Sequence, residues 1–247
     1  MVTAAPQDQW RLLDVAEADT KGAQLAHRGR TLPEHAEVER LAKRLAQLAG
    51  DLVTARTRAA DIGRELVKAE ADVELVRQRA ARDRARLDAG QGSAKDLQAT
   101  QHELESLAHR QSVLEDAELE VMERLEEAQA AVTALEAERD RDSAEQAEVT
   151  ARRDAALAAV DDEATAVRRA RDDAAAGLPA DLMALYEKIR ASAGGVGAAR
   201  LQGRRCQGCR IELTAVDMGR IRGAADDVVL RCEECGRILV RPLESGL

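Results

Sequence analysis

The chain has 247 residues, 34% of them charged, and a formal net charge of -9. Trp10 and Tyr186 are its only aromatic residues and phenylalanine is absent, a composition typical of a coiled coil or long helix that argues against one large globular core. The acidic balance excludes a general affinity for nucleic acid, because phosphate binding requires Lys and Arg that release counterions. Any nucleic-acid surface must therefore be local.

No targeting or membrane segment is apparent. The first residues lack a basic region followed by an apolar core, and no apolar run approaches the roughly 18 residues of a membrane-spanning helix. The four cysteines form two C-x-x-C pairs near the C-terminus, which is typical of a metal site in a reducing compartment rather than of a disulfide framework. We therefore expect a cytoplasmic protein without membrane association.

Two heptad stripes predict a coiled coil. Apolar residues step by three and four from Val38 to Leu87, with only Asp83 interrupting them, and a second, weaker stripe runs from Leu97 to Leu135. A sustained period of 3.5 residues indicates left-handed supercoiling. The stripes mirror each other about residues 89–93, where Gly90 and Gly92 can end one helix and Ser93 can cap the next. This short tip favours an intramolecular antiparallel hairpin, and hence a monomer, over a parallel dimer.

The return helix extends beyond the first arm. It is predicted to continue to about residue 176, and counting outward from the tip places residues 5–30 opposite residues 150–176. Residues 31–34 should break the first arm, with Thr31 capping and Pro33 in the first turn. A short amphipathic helix is predicted over 179–192 and a glycine-containing linker over 194–199. The hairpin domain thus spans 1–193.

The remaining residues, 200–247, predict a small β zinc ribbon. Cys206 and Cys209 form one C-x-x-C pair, and Cys232 and Cys235 form the other. Each pair can fold as a knuckle whose backbone N–H groups point at the thiolates, and four thiolates favour one tetrahedral, structural Zn²⁺ without an open position for a catalytic water. A rubredoxin-type iron centre has similar spacing and is distinguished by metal analysis. A thioredoxin-like dithiol would instead need one pair near a βαβ pattern.

The segments around the cysteines predict the rest of the ribbon. The apolar runs 228–230 and 238–240 suit two short strands, with Gly236 supplying a tight turn. The 22 residues between the two pairs are compatible with a hairpin insertion. The sequence therefore predicts a mainly α chain, a long antiparallel coiled-coil hairpin followed by this ribbon.

Arginines around the first knuckle are the candidate nucleic-acid residues. Guanidinium groups pair with phosphate in a bidentate manner, and four arginines cluster here: Arg200, Arg204, Arg205 and Arg210. The alternative is that they are solvated and pair with nearby acids. The ribbon has no aromatic residue, so it cannot stack bases as single-strand binders usually do.

Protein binding is the alternative function. Apolar residues of the insert could form a partner patch, although the ribbon core competes for them: Leu213, Val216, Met218 and Ile221. The hairpin tip, 88–96, is a second candidate contact. The four histidines lie in the predicted helices, and no phosphate loop or nucleophile elbow is visible, so we expect no enzymatic activity.

The motifs Cys206-Gln-Gly-Cys209 and Arg231-Cys-Glu-Glu-Cys235-Gly-Arg-Ile-Leu-Val240, placed after a two-helix hairpin, resemble the bacterial C4-type zinc-ribbon family with an N-terminal coiled-coil hairpin. The resemblance covers essentially the whole architecture. It implies zinc on the four cysteines and a nucleic-acid-binding or protein-interaction role, with some relatives tied to flagellar gene control or specialised secretion through alternative sigma factors. The resemblance and the motifs together suggest an adaptor in transcription or RNA regulation, with a pure protein scaffold as the alternative.

Overall fold

The computed structural model describes residues 2–246. Its helices are α1 (Pro6–Arg30), α2 (Pro33–Asp88), α3 (Ala94–Ala175), α4 (Ala180–Ser192) and α5 (Ala215–Gly223), and its strands are β1 (Ala198–Gln202), β2 (Arg205–Cys206) and β3 (Ile238–Val240). They form two compact units. One is 36–150, and the other combines the chain before 36 with the chain after 150. The predicted fold class is confirmed, and none of the described helices is long and apolar enough to cross a bilayer.

The unit formed by 36–150 is an antiparallel coiled coil. The positions of both predicted stripes are buried or half-buried, and Leu41, Leu48 and Val73 are at most 1% exposed. Because these positions repeat every seven residues, each helix keeps one apolar seam against its neighbour. Asp83, the one charged residue in the first stripe, is also half-buried, so the heptad register continues through it.

Ion pairs between the arms show the register. On one side Arg77 lies 2.6 Å from Glu115, and on the other Arg79 lies 2.8 Å from Glu103. Each residue is next to a seam position, where charges of opposite sign select the pairing of helices. Their side chains are roughly one-third to three-fifths exposed, so the pairs specify alignment more than they stabilise the fold.

The tip folds as the sequence predicts. Gly90 and Gly92 have φ angles of 62° and 127°, a region that glycine occupies without a steric cost. The Ser93 N–H donates to Asp96 Oδ2 at 2.9 Å, and the Asp96 N–H donates to Ser93 Oγ at 3.3 Å. This reciprocal arrangement is a capping box, which satisfies donors at the start of α3.

The first arm breaks between α1 and α2. Thr31 follows the last residue of α1, and its Oγ1 donates to the His27 carbonyl at 2.9 Å. Thr31 therefore caps the end of α1 rather than the start of α2, which begins at Pro33. Proline at the first helical position loses no hydrogen bond, because that N–H has no partner within the helix.

In the second unit, α1 packs along the last part of α3. A Cβ added to Gly29 would lie 3.6 Å from Val160 Cγ1, so the helices approach closely there. Arg28 pairs with Glu163 at 2.6 Å. The Arg11 guanidinium donates to the carbonyls of Ala174 at 3.0 Å and Ala176 at 2.5 Å, and so satisfies acceptors at the C-terminal end of α3.

A buried ionic cluster joins α1, α3 and α4. The Asp19 side chain is 2% exposed and lies 2.7 Å from Arg171 Nε and 3.1 Å from Arg190 Nε. The Tyr186 hydroxyl donates to Asp19 Oδ2 at 2.6 Å. Burial, together with this hydrogen bond, raises the pKa of Tyr186, so the hydroxyl remains a donor. The carboxylate is thus bound from three sides, as a buried charge requires.

The ribbon sheet, ordered β2-β1-β3, separates two cores. Strand β1 pairs antiparallel with β2 and parallel with β3. One core contains Ala198 and Ile238 with residues of α1 and α4, and the other contains Leu201 and Leu239 with the cysteines. Successive strand residues point to opposite faces, so β1 contributes to both cores.

This arrangement corrects the predicted linker at 194–199, because Ala198 and Ala199 already belong to β1. Gly197, just before the strand, lies so close to α4 that an added Cβ would be 2.4 Å from the Tyr186 carbonyl oxygen. The glycines here serve close packing as well as the turn. The sequence pattern could not reveal this approach, since it involves residues that are distant along the chain.

The N-terminal segment also belongs to the ribbon's surroundings. The Ala4 N–H donates to the Asp227 carbonyl at 2.8 Å, and the Val229 N–H donates to the Val2 carbonyl at 3.3 Å. Trp10 Nε1 donates to the Arg241 carbonyl at 2.9 Å, immediately after β3. The start of the chain, predicted as part of the hairpin, therefore holds the ribbon by backbone and side-chain bonds.

We expect Asp19→Asn to destabilise the protein by about 2–3 kcal/mol, because Arg171 and Arg190 lose a buried counter-charge while Glu187 still neutralises part of it. Urea unfolding followed by circular dichroism measures the change. Glu163→Gln is the matched control, since its pair with Arg28 is about half exposed on both sides and should hardly alter the midpoint. Equal midpoints for the two variants would contradict a structural role for the cluster.

Candidate metal centre and its arginine surface

The two C-x-x-C segments fold as matching knuckles. The N–H groups of Gly208 and Cys209 point at Cys206, and those of Glu234 and Cys235 point at Cys232. In each knuckle the residue after the second cysteine closes the turn. The Arg210 N–H donates to the Cys206 carbonyl at 2.7 Å, and the Gly236 N–H donates to the Cys232 carbonyl at 2.9 Å. This is the arrangement predicted from the spacing.

The four sulfurs fit one tetrahedral ion. All lie within 4.8 Å of one another, with 3.9 Å between Cys206 and Cys235 and 3.9 Å between Cys209 and Cys232. A Zn–S bond of about 2.3 Å gives tetrahedral S–S edges of about 3.8 Å. The cysteines form no disulfide. The residues present therefore suit one structural zinc with four protein ligands.

Binding of a cation changes the protonation of the site. Burial, with a further contribution from Cys232 and Cys235, raises the pKa of the Cys206 thiol to about 12, and burial likewise raises the pKa of Cys232. Without an ion these thiols would remain protonated at neutral pH. Since zinc binds thiolates, metal binding must release protons, and the dication makes four ionised sulfurs tolerable in one buried site.

Backbone conformation distinguishes the knuckles at equivalent positions. Gly236 has a φ of 72°, and Arg210, the only described residue other than glycine with a positive φ, has a φ of 61°. A left-handed conformation costs a residue with a Cβ on the order of 1–2 kcal/mol. The first knuckle thus holds an arginine where the second holds glycine, at a cost in backbone strain.

The insert between the knuckles is helical, which corrects the predicted hairpin insertion. Helix α5 begins after Thr214, which forms a capping box with Asp217. The predicted strand at 228–230 is also wrong. Only β3 forms a regular strand there, while Val228 makes an isolated bridge to Thr3 and Leu230 accepts from the Leu239 N–H at 2.9 Å. Val228 and Val229 therefore pair with the N-terminal segment, while Leu230 and Arg231 pair with β3 without forming a regular strand.

The insert's apolar residues divide between core and surface. Leu213, Met218 and Ile221 are at most 3% exposed and pack around the cysteines, whereas Val216 is 82% exposed. The local signal for this helix is the Thr214-x-x-Asp217 capping box at its start. Three of the four apolar residues are thus core residues and unavailable to a partner.

The structure brings Arg200 and Arg205 to the same surface. Leu201 of β1 and Cys206 of β2 are a cross-strand pair, and both are fully buried. Because side chains alternate along a strand, the residues before and after each of them point to the outer face. Arg200 and Arg205 are diagonal neighbours on this outer side and both are exposed. Arg210 is exposed in the adjacent knuckle. Arg204 lies in the turn between the strands, 3.6 Å from Glu212.

Other ribbon arginines have structural partners that sequence reasoning missed. Arg237 donates to the carbonyls of Val196, at 3.1 Å, and Ala193. Arg241 donates to the carbonyls of Ile221 at 3.2 Å and Ala224 at 3.1 Å, at the end of α5. In the sequence, the only indication of a role for Arg237 is its position in the motif that runs from Arg231 to Val240. These carbonyls come from distant segments, so their partners could not be read from spacing.

The fold and site define a coiled-coil hairpin protein with a four-cysteine zinc ribbon. Residues 15–194 match the CT398-like coiled coil hairpin domain and residues 205–239 match the C4-type zinc ribbon domain. The chain belongs to the CT398-like coiled-coil hairpin family, in agreement with the resemblance seen in the motifs.

Mycobacterial proteins are among its relatives. Rv2229c of Mycobacterium tuberculosis is 40% identical over 238 residues, which cover 96% of this chain and 97% of the relative. ML1638 of Mycobacterium leprae is 30% identical over 224 residues, covering 91% and 96%. A solved structure from Mycobacterium smegmatis is 39% identical with a TM-score of 0.84, covering 97% of this chain and 100% of that chain.

The likeness extends to a more distant structure. CT398 from Chlamydia trachomatis is 14% identical with a TM-score of 0.64, covering 96% of this chain and 98% of that chain. At this identity the likeness concerns the fold alone. The two chains thus share a fold over nearly their whole lengths.

We expect Cys209→Ser to lose zinc and loosen the ribbon sheet while the coiled coil of 36–150 persists. Trp10, the only tryptophan, reports on the sheet through its bond to Arg241, so its emission should shift to the red while most helical circular dichroism remains. Metal analysis and fluorescence measure the two effects. Gln207→Ser, in the same exposed turn, should keep both zinc and the original emission. Loss of zinc without an emission change would contradict the coupling.

We expect Arg210→Gly to stabilise the zinc-bound ribbon by about 1 kcal/mol, because it removes the strain of a left-handed backbone. Gly236→Ala should act in the opposite direction at the equivalent position, where a Cβ would also lie 3.2 Å from an Arg231 guanidinium nitrogen. Competition with a chromophoric chelator measures both. Destabilisation by Arg210→Gly would show that the side chain itself supports the knuckle.

Proposed function

We propose that the protein is a non-enzymatic zinc-ribbon adaptor whose ribbon binds RNA or DNA through the arginines of the first knuckle, in transcription or RNA regulation. The zinc site supports the non-enzymatic part, since four cysteine ligands leave no open coordination position. Binding by phosphate contact fits a ribbon without aromatic residues. The hairpin would then serve to place this ribbon near other components.

The state of the arginines is the observation that carries this proposal. Arg200, Arg205 and Arg210 are exposed, and none forms an ion pair with a side chain that the structure describes. By contrast, Arg220 pairs with Glu233 at 2.6 Å. Free guanidinium groups on one surface can neutralise phosphates, whereas paired groups would first have to give up a partner.

The strained conformation of Arg210 adds support. The equivalent position of the second knuckle is glycine, so the fold does not require a side chain there. Strain that persists at one position is often connected with function. Keeping a cation at this point of the first knuckle is consistent with recognition of an anion.

The alternative function is a protein scaffold with structural zinc and no nucleic-acid contact. It is favoured by two exposed apolar residues: Ile211, two residues after Cys209, is 45% exposed, and Val216 of α5 is 82% exposed. Exposed apolar side chains suit a protein partner better than phosphate. The two functions differ in their dependence on charge and salt.

We expect Arg200→Gln/Arg205→Gln to weaken binding of a labelled mixed-sequence RNA, or of duplex DNA, by about tenfold and to lower the slope of log K against log salt by about two. Fluorescence anisotropy at several salt concentrations measures both quantities, and zinc content verifies the fold.

Arg222→Gln is the matched control, because this arginine is exposed on α5 away from the first knuckle in sequence. Its affinity and slope should follow the unsubstituted protein. If neither nucleic acid binds, or if both variants bind alike, the proposal fails and the scaffold function is favoured.

A further inference from the structure

Six large apolar side chains of the coiled-coil hairpin are more than a third exposed: Val53, Val67, Leu75, Val113, Leu119 and Met122. Three of them lie near one another in sequence position across the two arms. Val67 of α2 is 65% exposed, and Leu119 and Met122 of α3 are 56% and 39% exposed. A single exposed apolar residue is ordinary, but a group on one side of a helix pair indicates a contact surface. Val67, Leu119 and Met122 can form one contact surface only if they lie on the same side of the hairpin.

Cross-arm ion pairs identify the side. Arg77 pairs with Glu115 at 2.6 Å, and Arg56 pairs with Glu136 at 2.5 Å. Met122 follows Glu115 by one heptad and precedes Glu136 by two. Residues one heptad apart occupy equivalent positions in a coiled coil, so Met122 lies in the row that carries both ion pairs.

Between the Arg77–Glu115 and Arg56–Glu136 pairs, this row of described residues has no ion pair between the arms. The α2 positions between Arg56 and Arg77 in the same row are Gly63 and Glu70, and the register places Glu70 opposite Met122. A carboxylate and a thioether form no ion pair. A Cβ added to Gly63 would meet nothing within 4 Å. No neighbouring side chain that the structure describes therefore covers the helix at this position.

The other two apolar residues adjoin this interruption. Val67 precedes Glu70 by three residues, and Leu119 precedes Met122 by three, so each is a neighbour on its own helix. The four residues Gly63, Val67, Leu119 and Met122 are called the Met122 patch below. It spans both arms on one side of the hairpin.

Acidic residues border the Met122 patch. Glu70 lies within its row, while Glu74 and Glu126 follow Val67 and Leu119 by one heptad each. Between residues 115 and 127 there are seven acidic residues and a single arginine, Arg124, which itself pairs with Glu65 at 3.0 Å. On α2 the neighbour of Gly63 and Val67 is Arg64, which pairs with Asp61. The unpaired charges beside the apolar centre, Glu70, Glu74 and Glu126, are therefore negative.

This charge decides between the candidate occupants. A second copy of the chain docking through the same patch would bring like carboxylates together, which opposes association. A partner with Lys or Arg around an apolar stripe would meet opposite charge at the edge and bury the centre. A helix presents such an apolar stripe at three- and four-residue spacing with charged residues beside it.

We propose that the Met122 patch binds a basic amphipathic helix of a protein partner. The side chains of Leu119 and Met122 supply the apolar contact, and Glu70, Glu74 and Glu126 supply the charge that orients the helix. The binding surface lies in the unit formed by 36–150 and does not depend on the arginines of the ribbon.

The test uses the full-length zinc-bound protein and a fluorescein-labelled helical peptide of about 18 residues, with leucine along one face and lysine elsewhere. We expect Leu119→Gln/Met122→Gln to weaken binding about tenfold. The matched control is Leu75→Gln/Val113→Gln, which replaces side chains that are 63% and 54% exposed on the side of the Arg79–Glu103 pair. Its affinity should remain within about twofold of the unsubstituted protein.

Further comparisons separate the outcomes. A scrambled peptide of the same composition should bind the unsubstituted protein weakly. Its affinity should be about that of the helical peptide for the Leu119→Gln/Met122→Gln variant. Glu70→Gln/Glu126→Gln should weaken binding and reduce its salt dependence. Arg200→Gln/Arg205→Gln should bind the peptide normally, so failure of the nucleic-acid proposal leaves this test intact.

Absence of binding, equal weakening by the two apolar double variants, or equal affinity for the scrambled peptide would overturn the proposal. Sedimentation of the protein alone provides the remaining comparison. A dimer that is lost only in the Leu119→Gln/Met122→Gln variant would show that a second copy covers the patch, and would likewise overturn it.

Discussion

The ribbon depends on strand β1 being buried on both faces. Ala198 faces the helices while Leu201 faces the cysteines, and these two residues are 3% and 0% exposed. A strand this short provides little apolar area by itself, so its stability comes from the layers packed on either side. Zinc holds one layer together and helices α1 and α4 provide the other. Ribbon and helices therefore stabilise each other.

The same sheet explains the unusual use of the chain ends. Trp10 binds the backbone just after β3, the segment before it binds the backbone of Asp227 and Val229, and the Arg241 guanidinium binds the end of α5. A metal site of four cysteines fixes only the residues close to it. The longer loops are instead held by hydrogen bonds to otherwise unsatisfied carbonyls, and an unsatisfied buried carbonyl would be costly. Arginine suits this task because one guanidinium can reach several acceptors.

In the coiled coil, seam and surface have different roles. Seam residues such as Leu48 and Val73 are at most 1% exposed and supply the burial. The Arg–Glu pairs beside the seam remain partly in solvent and mainly select the register. Where Met122 replaces an acidic partner, the register is still maintained by the flanking pairs, so this position is free to serve another purpose. The ribbon is similar, since paired arginines build the fold and unpaired ones are available for ligands.

The sequence by itself determined the heptad stripes, the tip at Gly90 and Gly92, and the cysteine ligands, because each depends on residues that are close together or strictly periodic. Only the tertiary structure decided that 194–199 leads into a buried strand, that Val228 and Val229 pair with the N-terminal segment, and that Asp19 meets Arg171 and Arg190. Those contacts join segments far apart along the chain, and no local pattern records them. The position of the exposed arginines depended on both sequence and tertiary structure. The sequence placed them near one knuckle, but only pairing across β1 and β2 put Arg200 and Arg205 on a common surface.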